Sequence, residues 1–181
     1  MGWCGPRTVL RTYSPTDAAL VWEAIDESRA ELLQWAPDIG RRQSVGQVQA
    51  GLAGLCQSRA AGTLFVCGIW DRRDGGFLGE VGLHDIDWTG RTSSVGYWLR
   101  RRARRQGLMA EALGVLQRHA VHDLGLRRFE AHIAYDNRPS RHVVERYGYL
   151  LTGHRRADPQ WDGATRLMLI YTSPSGRLQE E

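Results

Sequence analysis

Hydrophobic residues in the first third of the chain recur at helical spacing behind one short strand. Arg7–Tyr13 predicts that strand, and Ser14-Pro15-Thr16-Asp17 then has the features of a helix start, with a capping serine, a proline and an acid. The apolar residues that follow at helical spacing are Ala18, Val21, Trp22 and Ile25. Ser44-Val45-Gly46-Gln47 repeats the capping pattern, so we predict N-terminal helices over about residues 16–58.

The middle of the chain is instead rich in β-branched and aromatic residues, which favour strands. Thr63–Trp70 and Phe77–Ile86 flank an Asp-Gly-Gly sequence that suits a tight turn, and Ser93–Leu99 follows a second turn. We therefore predict an antiparallel meander of three strands in this region.

The last third of the chain alternates between helix and strand. Apolar residues within Gln106–Leu124 recur at helical spacing, and the glycine that follows is a natural helix stop. The remaining predicted elements are strand Arg127–Ala134, helix Arg138–Tyr147, and strands Tyr149–His154 and Thr165–Tyr171.

Together these segments predict an α/β (α+β) fold, with a mixed, mostly antiparallel central sheet of about 6–7 strands flanked by about 4 helices. With 181 residues, of which 42% are apolar, the chain is long enough for one domain with its own core. We expect this single domain at residues 1–172 and a disordered polar tail at residues 173–181.

The composition bears on the cellular location of the protein and on whether it contains disulfides or a bound metal. No apolar run approaches the roughly 20 residues that span a bilayer, and we recognise no signal peptide, so we expect a cytoplasmic protein without a membrane partner. Cys4, Cys56 and Cys67 lie far apart without CxxC spacing, which argues against disulfides and against a bound metal.

The positive charge comes from arginine alone. The 24 basic residues include no lysine, which excludes a lysine nucleophile or a Schiff base. Five arginines fall within Arg100–Arg105, a density that is also found in nucleic-acid patches. No aromatic residue lies among them to stack on bases, so we do not expect a nucleic-acid partner.

The same arginines lie between a predicted strand and a predicted helix that starts near Gly107. A helix N-terminus offers unpaired backbone N–H groups and a partial positive charge, both of which favour phosphate. Arg104 and Arg105 add formal charge and forked donors. The segment therefore predicts an anion site, although an ordinary basic loop before a helix would have the same pattern.

A second polar segment precedes the next predicted helix. Asn137 can cap that helix, Pro139 suits its first turn, and Ser140 lies exposed at its N-terminus. Helix capping alone accounts for Asn137 and Ser140 when this segment is taken by itself.

The arginine-rich loop resembles the pyrophosphate motif of the GNAT superfamily of N-acetyltransferases. The motif is Arg104-x-x-Gly107-x-x-Ala110, with Arg105 at a position where the family usually has glycine. The stretch from Val95 to Ala112 is most similar to the RimJ/RimL-type branch, which acetylates ribosomal-protein N-termini. The resemblance implies the GNAT fold and acetyl-coenzyme A as co-substrate.

The second segment resembles the other GNAT signature. It consists of a strand, Asn137-x-x-Ser140, a short helix and Gly148-Tyr149, and it follows the first motif in the family's order. The resemblance covers about residues 93–154. It implies that backbone N–H groups at the helix start hold the pyrophosphate, and that a strand hydrogen-bonds the pantetheine where the sheet splays apart. The implied coenzyme A-binding residues are Trp98, Leu99, Arg104, Arg105, Gln106, Gly107, Leu108, Met109, Ala110, Asn137 and Ser140.

The resemblance also implies roles in catalysis. Many GNAT enzymes have a tyrosine acid where this chain has Val144, so that role does not transfer. We assign Ser140 to the sulfur of the thioester, as hydrogen-bond donor or acid, and Asn137 to the pantetheine or the local backbone.

A neutral amine must attack the thioester, so a base or a water chain to one is expected. Many relatives have a glutamate where this chain has Ser93-Ser94. We rank Asp158 first as the base, with Glu80 or His84 on the preceding strand as alternatives.

Three functions remain open for the sequence alone. The branch favours acetylation of a protein or peptide N-terminal α-amine, and a small amine such as an antibiotic or metabolite is the second acceptor class. The missing glutamate leaves a third, a coenzyme A-binding module without turnover. A homodimer through the sheet edge or the N-terminal helices is compatible with each.

Overall fold

One sheet of eight strands organises the residues that the computed structural model describes, which are 2–157 and 166–174. The strand order is β1-β2-β3-β4-β5-β6-β8-β7. The strands are β1 (Gly2–Cys4), β2 (Thr8–Arg11), β3 (Phe65–Asp71), β4 (Phe77–Asp87), β5 (Thr92–Leu99), β6 (Arg128–Ala134), β7 (Leu150–Ala157) and β8 (Arg166–Thr172). The helices are α1 (Ala18–Glu27), α2 (Arg29–Trp35), α3 (Pro37–Gly40), α4 (Val45–Ala60), α5 (Leu108–His122) and α6 (Arg138–Arg146).

This arrangement confirms the predicted mixed fold, with more elements than expected. The additional strand is β1, which pairs antiparallel with β2 and is too short for the sequence pattern to indicate. The additional helices are α2 and α3, which divide the segment that Pro37 and Gly40 were expected to close. At the other end, Ser173 is buried and exchanges hydrogen bonds with Phe129, and residues 175–181 lie outside the described part of the chain.

Local capping explains why the N-terminal helices begin where the sequence predicts. The Asp17 carboxylate accepts a hydrogen bond from the Ser14 N–H at 2.7 Å, and the Ser44 hydroxyl accepts one from the Gln47 N–H at 3.2 Å. Each bond satisfies a backbone donor at a helix end, where no intrahelical acceptor exists.

The sheet opens between β5 and β6. These strands are parallel, and they pair only through Thr92 with Arg128, Ser93 with Phe129 and Ser94 with Glu130. Beyond Ser94, β5 keeps its antiparallel partner β4 as far as Leu99, while β6 keeps β8 as far as Ala134. The two strands therefore separate into a wedge, and the edge of β5 that faces β6 has no strand partner from Val95 onward.

The two faces of the sheet carry separate cores. On the face that we call the α5 face, Val95 packs in one cluster with Leu113 of α5 and Val144 of α6. On the opposite face, the α4 face, Trp98 packs with Val21 of α1 and Leu52 of α4. Successive β5 side chains point to opposite faces, so β5 contributes to both cores on either side of the wedge.

A buried arginine joins the α4-face helices to the loop before α5. The Arg100 side chain is 3% exposed, and its guanidinium donates to Glu27 at 2.9 Å and to Glu23 at 2.8 Å. The next two backbone N–H groups, of Arg101 and Arg102, donate to Ser28 and Glu27. Part of the basic run therefore anchors the loop to α1.

Replacing Arg100 with alanine should strongly destabilise the protein. Arg100→Ala removes a buried side chain with its charged hydrogen bonds to Glu27 and Glu23, which are partly exposed, so the expected cost is about 2–3 kcal/mol. Urea unfolding followed by circular dichroism measures this loss. The control is Arg101→Ala, whose side chain is 60% exposed, and which should cost less than about 1 kcal/mol. Equal losses for the two variants would contradict the anchoring role.

Candidate active site

The wedge between β5 and β6 contains a hydrogen-bonded pair that reaches across it. The Tyr97 hydroxyl, from β5, donates to the Ser140 carbonyl at 3.0 Å, and the Ser140 hydroxyl donates to the Tyr97 oxygen at 3.0 Å. Ser140 lies in the first turn of α6, where the Asn137 side chain caps its N–H at 3.2 Å. The structure thus brings together Ser140, Asn137 and the strand that contains Trp98 and Leu99.

Tyr97 is a functional candidate that the sequence analysis quoted but did not assign. Burial raises the pKa of its hydroxyl far above the usual range, although the hydrogen bond with Ser140 acts in the opposite direction. The phenol therefore remains protonated near neutral pH and can orient the Ser140 hydroxyl. Its position directly before Trp98, on the alternate face of β5, is the sequence signal that could have identified it.

The N-terminus of α5 has the features of an anion site. Gly107 is the capping residue, with φ of +75°, and no side chain caps the helix. That backbone conformation is in the left-handed region, which glycine adopts without steric cost. Leu108 and Met109 have buried side chains, so their backbone N–H groups are the parts that a ligand could use.

The two arginines predicted at this site differ in their surroundings. Arg104 donates to the Leu99 carbonyl at 2.9 Å and pairs with Glu31 of α2 at 3.0 Å, so its guanidinium is already engaged by the protein. Arg105 is exposed and has a positive φ of 60°. A third cation, Arg7, was not predicted, and its guanidinium donates to the Gln106 carbonyl at 2.9 Å.

A single carboxylate fixes Arg7 and the start of β2 to α5. Glu111 Oε1 accepts hydrogen bonds from the backbone N–H of Arg7 at 2.7 Å, the N–H of Thr8 at 2.8 Å and the Thr8 hydroxyl at 2.8 Å. Its Oε2 accepts from Arg7 Nε at 2.9 Å. Burial raises the pKa of the Glu111 carboxyl, but these hydrogen bonds outweigh burial and hold that pKa below its ordinary value.

Two of the three residues predicted as the possible general base lie in the described part of the chain, and their surroundings differ. Asp158 lies outside the described residues. His84 hydrogen-bonds the adjacent Asp85 carboxylate at 2.8 Å, and both side chains are substantially exposed. Glu80 accepts a hydrogen bond from the Tyr13 hydroxyl at 2.7 Å in a much more enclosed position. Burial raises the pKa of the Glu80 carboxyl, and the hydrogen bond from Tyr13 only partly opposes this.

Metal clusters, membrane-spanning helices and cysteines can be assessed in the described part of the chain. There, no cluster of three or more His, Cys, Asp or Glu side chains is arranged to hold a metal ion, and no helix is long and apolar enough to cross a membrane. Cys4 and Cys56 are exposed, whereas Cys67 is buried, and burial raises the pKa of its thiol to about 12.

Comparison with known proteins identifies similar chains. The family described as the acetyltransferase (GNAT) domain matches residues 7–150. YdaF of Bacillus subtilis, which carries the name of a ribosomal N-acetyltransferase, is 28% identical over 90% of this chain and 88% of its own length. The ribosomal-protein-serine acetyltransferase of Escherichia coli is 33% identical over 42% of each chain. RimJ of Mycobacterium smegmatis, solved with a coenzyme A disulfide, superposes with a TM-score of 0.87 at 23% identity, covering 100% of this chain and 88% of RimJ.

Replacing Glu111 with glutamine should give a loss of stability that depends on pH. The folded-state pKa of Glu111 is depressed, so its stabilisation is complete above the unfolded-state pKa of about 4.3 and disappears as the pH falls through the folded value. Glu111→Gln should therefore cost about 1–3 kcal/mol at pH 7, and the deficit should shrink below about pH 4. Urea unfolding across pH measures both effects. Asp26→Asn, at an exposed carboxylate that pairs with Arg29, should cost less than about 1 kcal/mol. A deficit of equal size at pH 7 and pH 3 would contradict this account.

Proposed function

Because this chain belongs to the GNAT acetyltransferase family, we propose that it transfers the acetyl group of acetyl-coenzyme A to a primary amine, with a peptide N-terminal α-amine as acceptor. The observation that carries this proposal is the wedge, in which the unpaired edge of β5 lies beside the uncapped N-terminus of α5 and the Ser140 hydroxyl. We further propose that residues 1–172 act as one domain, since the family match and the sheet extend across most of that range.

The donor fits the two ends of this wedge. The backbone N–H groups from Gln106 to Ala110 would hold the pyrophosphate, with the exposed Arg105 adding charge. The pantetheine would run along β5 near Trp98 and Leu99, where its amides could use the free strand edge as an added strand would. RimJ was solved with a coenzyme A disulfide, which supports this choice of donor.

Ser140 would act on the sulfur. When the amine attacks the thioester carbonyl and the tetrahedral intermediate collapses, the departing thiolate needs a hydrogen-bond donor or a proton. The Ser140 hydroxyl can turn from Tyr97 to the sulfur, while the protonated Tyr97 hydroxyl still donates to the Ser140 carbonyl. Asn137 would support this geometry by capping α6 rather than by touching the donor.

The acceptor would approach from the α4 face. There the Arg166 guanidinium of β8 lies 5.3 Å from the centroid of the Trp35 ring in α2, so the helices and the far strands of the sheet meet at this side. The names of YdaF and of the Escherichia coli relative support a ribosomal-protein acceptor, which is an α-amine on a polypeptide.

Calorimetry with acetyl-coenzyme A, followed by thiol release with N-terminal peptides and small amines, tests this proposal. We expect donor binding and fastest release with a peptide α-amine. Faster thiol release with small amines would indicate a small amine, and not a peptide α-amine, as the acceptor. Donor binding without thiol release would indicate a coenzyme A-binding module. Because the chain contains no lysine, its own side chains cannot serve as lysine acceptors.

Replacing Ser140 with alanine should separate donor binding from turnover. Ser140→Ala should keep the affinity for acetyl-coenzyme A and lower turnover about 100-fold, because the thiolate loses its donor. Tyr97→Phe should cause a smaller loss, since the serine hydroxyl remains but is no longer oriented. The control is Ser58→Ala on α4, which should match the wild type. Full turnover of Ser140→Ala with unchanged donor affinity would show that this role is wrong.

A further inference from the structure

Gly96 leaves a gap between side chains on the α4 face of the sheet, whereas the Val66 side chain of β3 fills the space over the facing Gly82. Gly82 of β4 and Gly96 of β5 are paired, and the neighbouring pairs on the same face are Glu80 with Trp98 and His84 with Ser94. A Cβ on Gly96 would meet only the His84 ring, at 3.5 Å, among the atoms of the described residues within 4 Å. The space over Gly96 is therefore open on this face.

Gly96 also lies at the wedge. The pairing of β5 with β6 ends at Ser94, so Gly96 falls within the segment of β5 whose second edge is free. A donor bound along that edge would be accessible over Gly96 from the α4 face. The gap over Gly96 is where a second substrate would reach the thioester of that donor.

Glu80 of β4 is paired with Trp98 and lies on the same face of the sheet as Gly96, one pair further along the two strands. The Tyr13 hydroxyl donates to Glu80 Oε2 at 2.7 Å, and Trp98 is the residue paired with Glu80 on β5. The rings of Tyr13, Trp98, Trp70 and Phe77 are buried in the same cluster. A carboxylate in such surroundings is costly unless it has a partner, which an ammonium group would supply.

We infer that Glu80 binds the ammonium group of the acceptor and takes its proton before the amine attacks the thioester. This inference rests on the acetyl transfer proposed above. One N–H bond of the ammonium breaks and its proton moves to a Glu80 oxygen. The freed electron pair then forms the new C–N bond, and the C–S bond breaks. The amide nitrogen loses a second proton, and the thiolate gains one through Ser140, so each turnover releases one proton to solvent.

The groups around Glu80 would set the pH at which it works. Burial raises the pKa of the Glu80 carboxyl, and the Tyr13 hydroxyl and the Arg42 charge act in the opposite direction. Cys67 on β3 also interacts with Glu80, but burial keeps this thiol neutral by raising its pKa to about 12. A base with a raised pKa suits an α-amine, whose pKa of about 8 is lower than the 10.4 or so of a lysine side chain.

The test compares three variants of the full chain by the pH dependence of kcat/KM. Glu80→Gln should lower kcat/KM about 100-fold and remove the acidic limb of the profile, while acetyl-coenzyme A affinity stays unchanged. Tyr13→Phe removes a donor that favours the charged carboxylate, so the acidic limb should move to higher pH. The matched control is Glu130→Gln, a carboxylate on the same face that pairs with His132 at 3.2 Å, and it should keep the wild-type profile.

The outcomes separate the inference from the proposed function. If the wild type is active and Glu80→Gln is also active with its acidic limb retained, the role of Glu80 is wrong. The proposed acetyl transfer would still stand. A wild type that binds the donor but acetylates no amine would overturn both. A purely structural role predicts a lower urea midpoint for Glu80→Gln with an unmoved limb, and that result would also overturn the inference.

Discussion

The early end of pairing between β5 and β6 is the constraint on which the candidate site depends. Three residue pairs join the strands, after which each follows its antiparallel neighbour. A strand edge that is left open inside a sheet retains unpaired backbone donors and acceptors, which must find a ligand or water. The wedge therefore offers hydrogen bonds that a pantetheine arm could accept and donate without any dedicated side chain. The wedge also connects the two faces of the sheet, so that a donor and an acceptor that approach from opposite faces could meet there.

The wedge can bind a substrate in one defined geometry only if the elements around it have fixed positions. Arg100 fixes the loop after β5 to α1, and Glu111 fixes the first turn of α5 to β2. In each anchor one charged side chain is largely buried, 3% exposed for Arg100 and 12% for Glu111, and hydrogen bonds to ionised groups are the stronger kind. The backbone N–H groups at Gly107 consequently start from a fixed position, and a bound phosphate would not have to organise them.

Local signals predicted most of this architecture, and long-range contacts account for what was missed. The caps at Ser14 and Ser44 lie within a few residues of the helices that they start, so they could be recognised from sequence. β1 depends on pairing with β2, which its own three residues do not encode. In the site, the ion pair of Arg104 with Glu31 could not be predicted, because Glu31 is distant in sequence. The bonds of Tyr97 with Ser140 and of Glu80 with Tyr13 join distant segments in the same way.

The burial of Glu80 links stability to chemistry. A half-buried carboxylate beside Tyr13 and Trp98 lowers stability relative to an apolar residue, and the Tyr13 hydrogen bond offsets only part of that effect. The same burial makes the carboxylate a stronger base and a stronger attractor of cations, because the surrounding dielectric is low. The Arg42 charge lowers the pKa of Glu80 and so favours the ionised carboxylate, although burial outweighs it. We therefore explain Glu80 by the acceptor ammonium group that it would bind, and not by a contribution to the stability of the core.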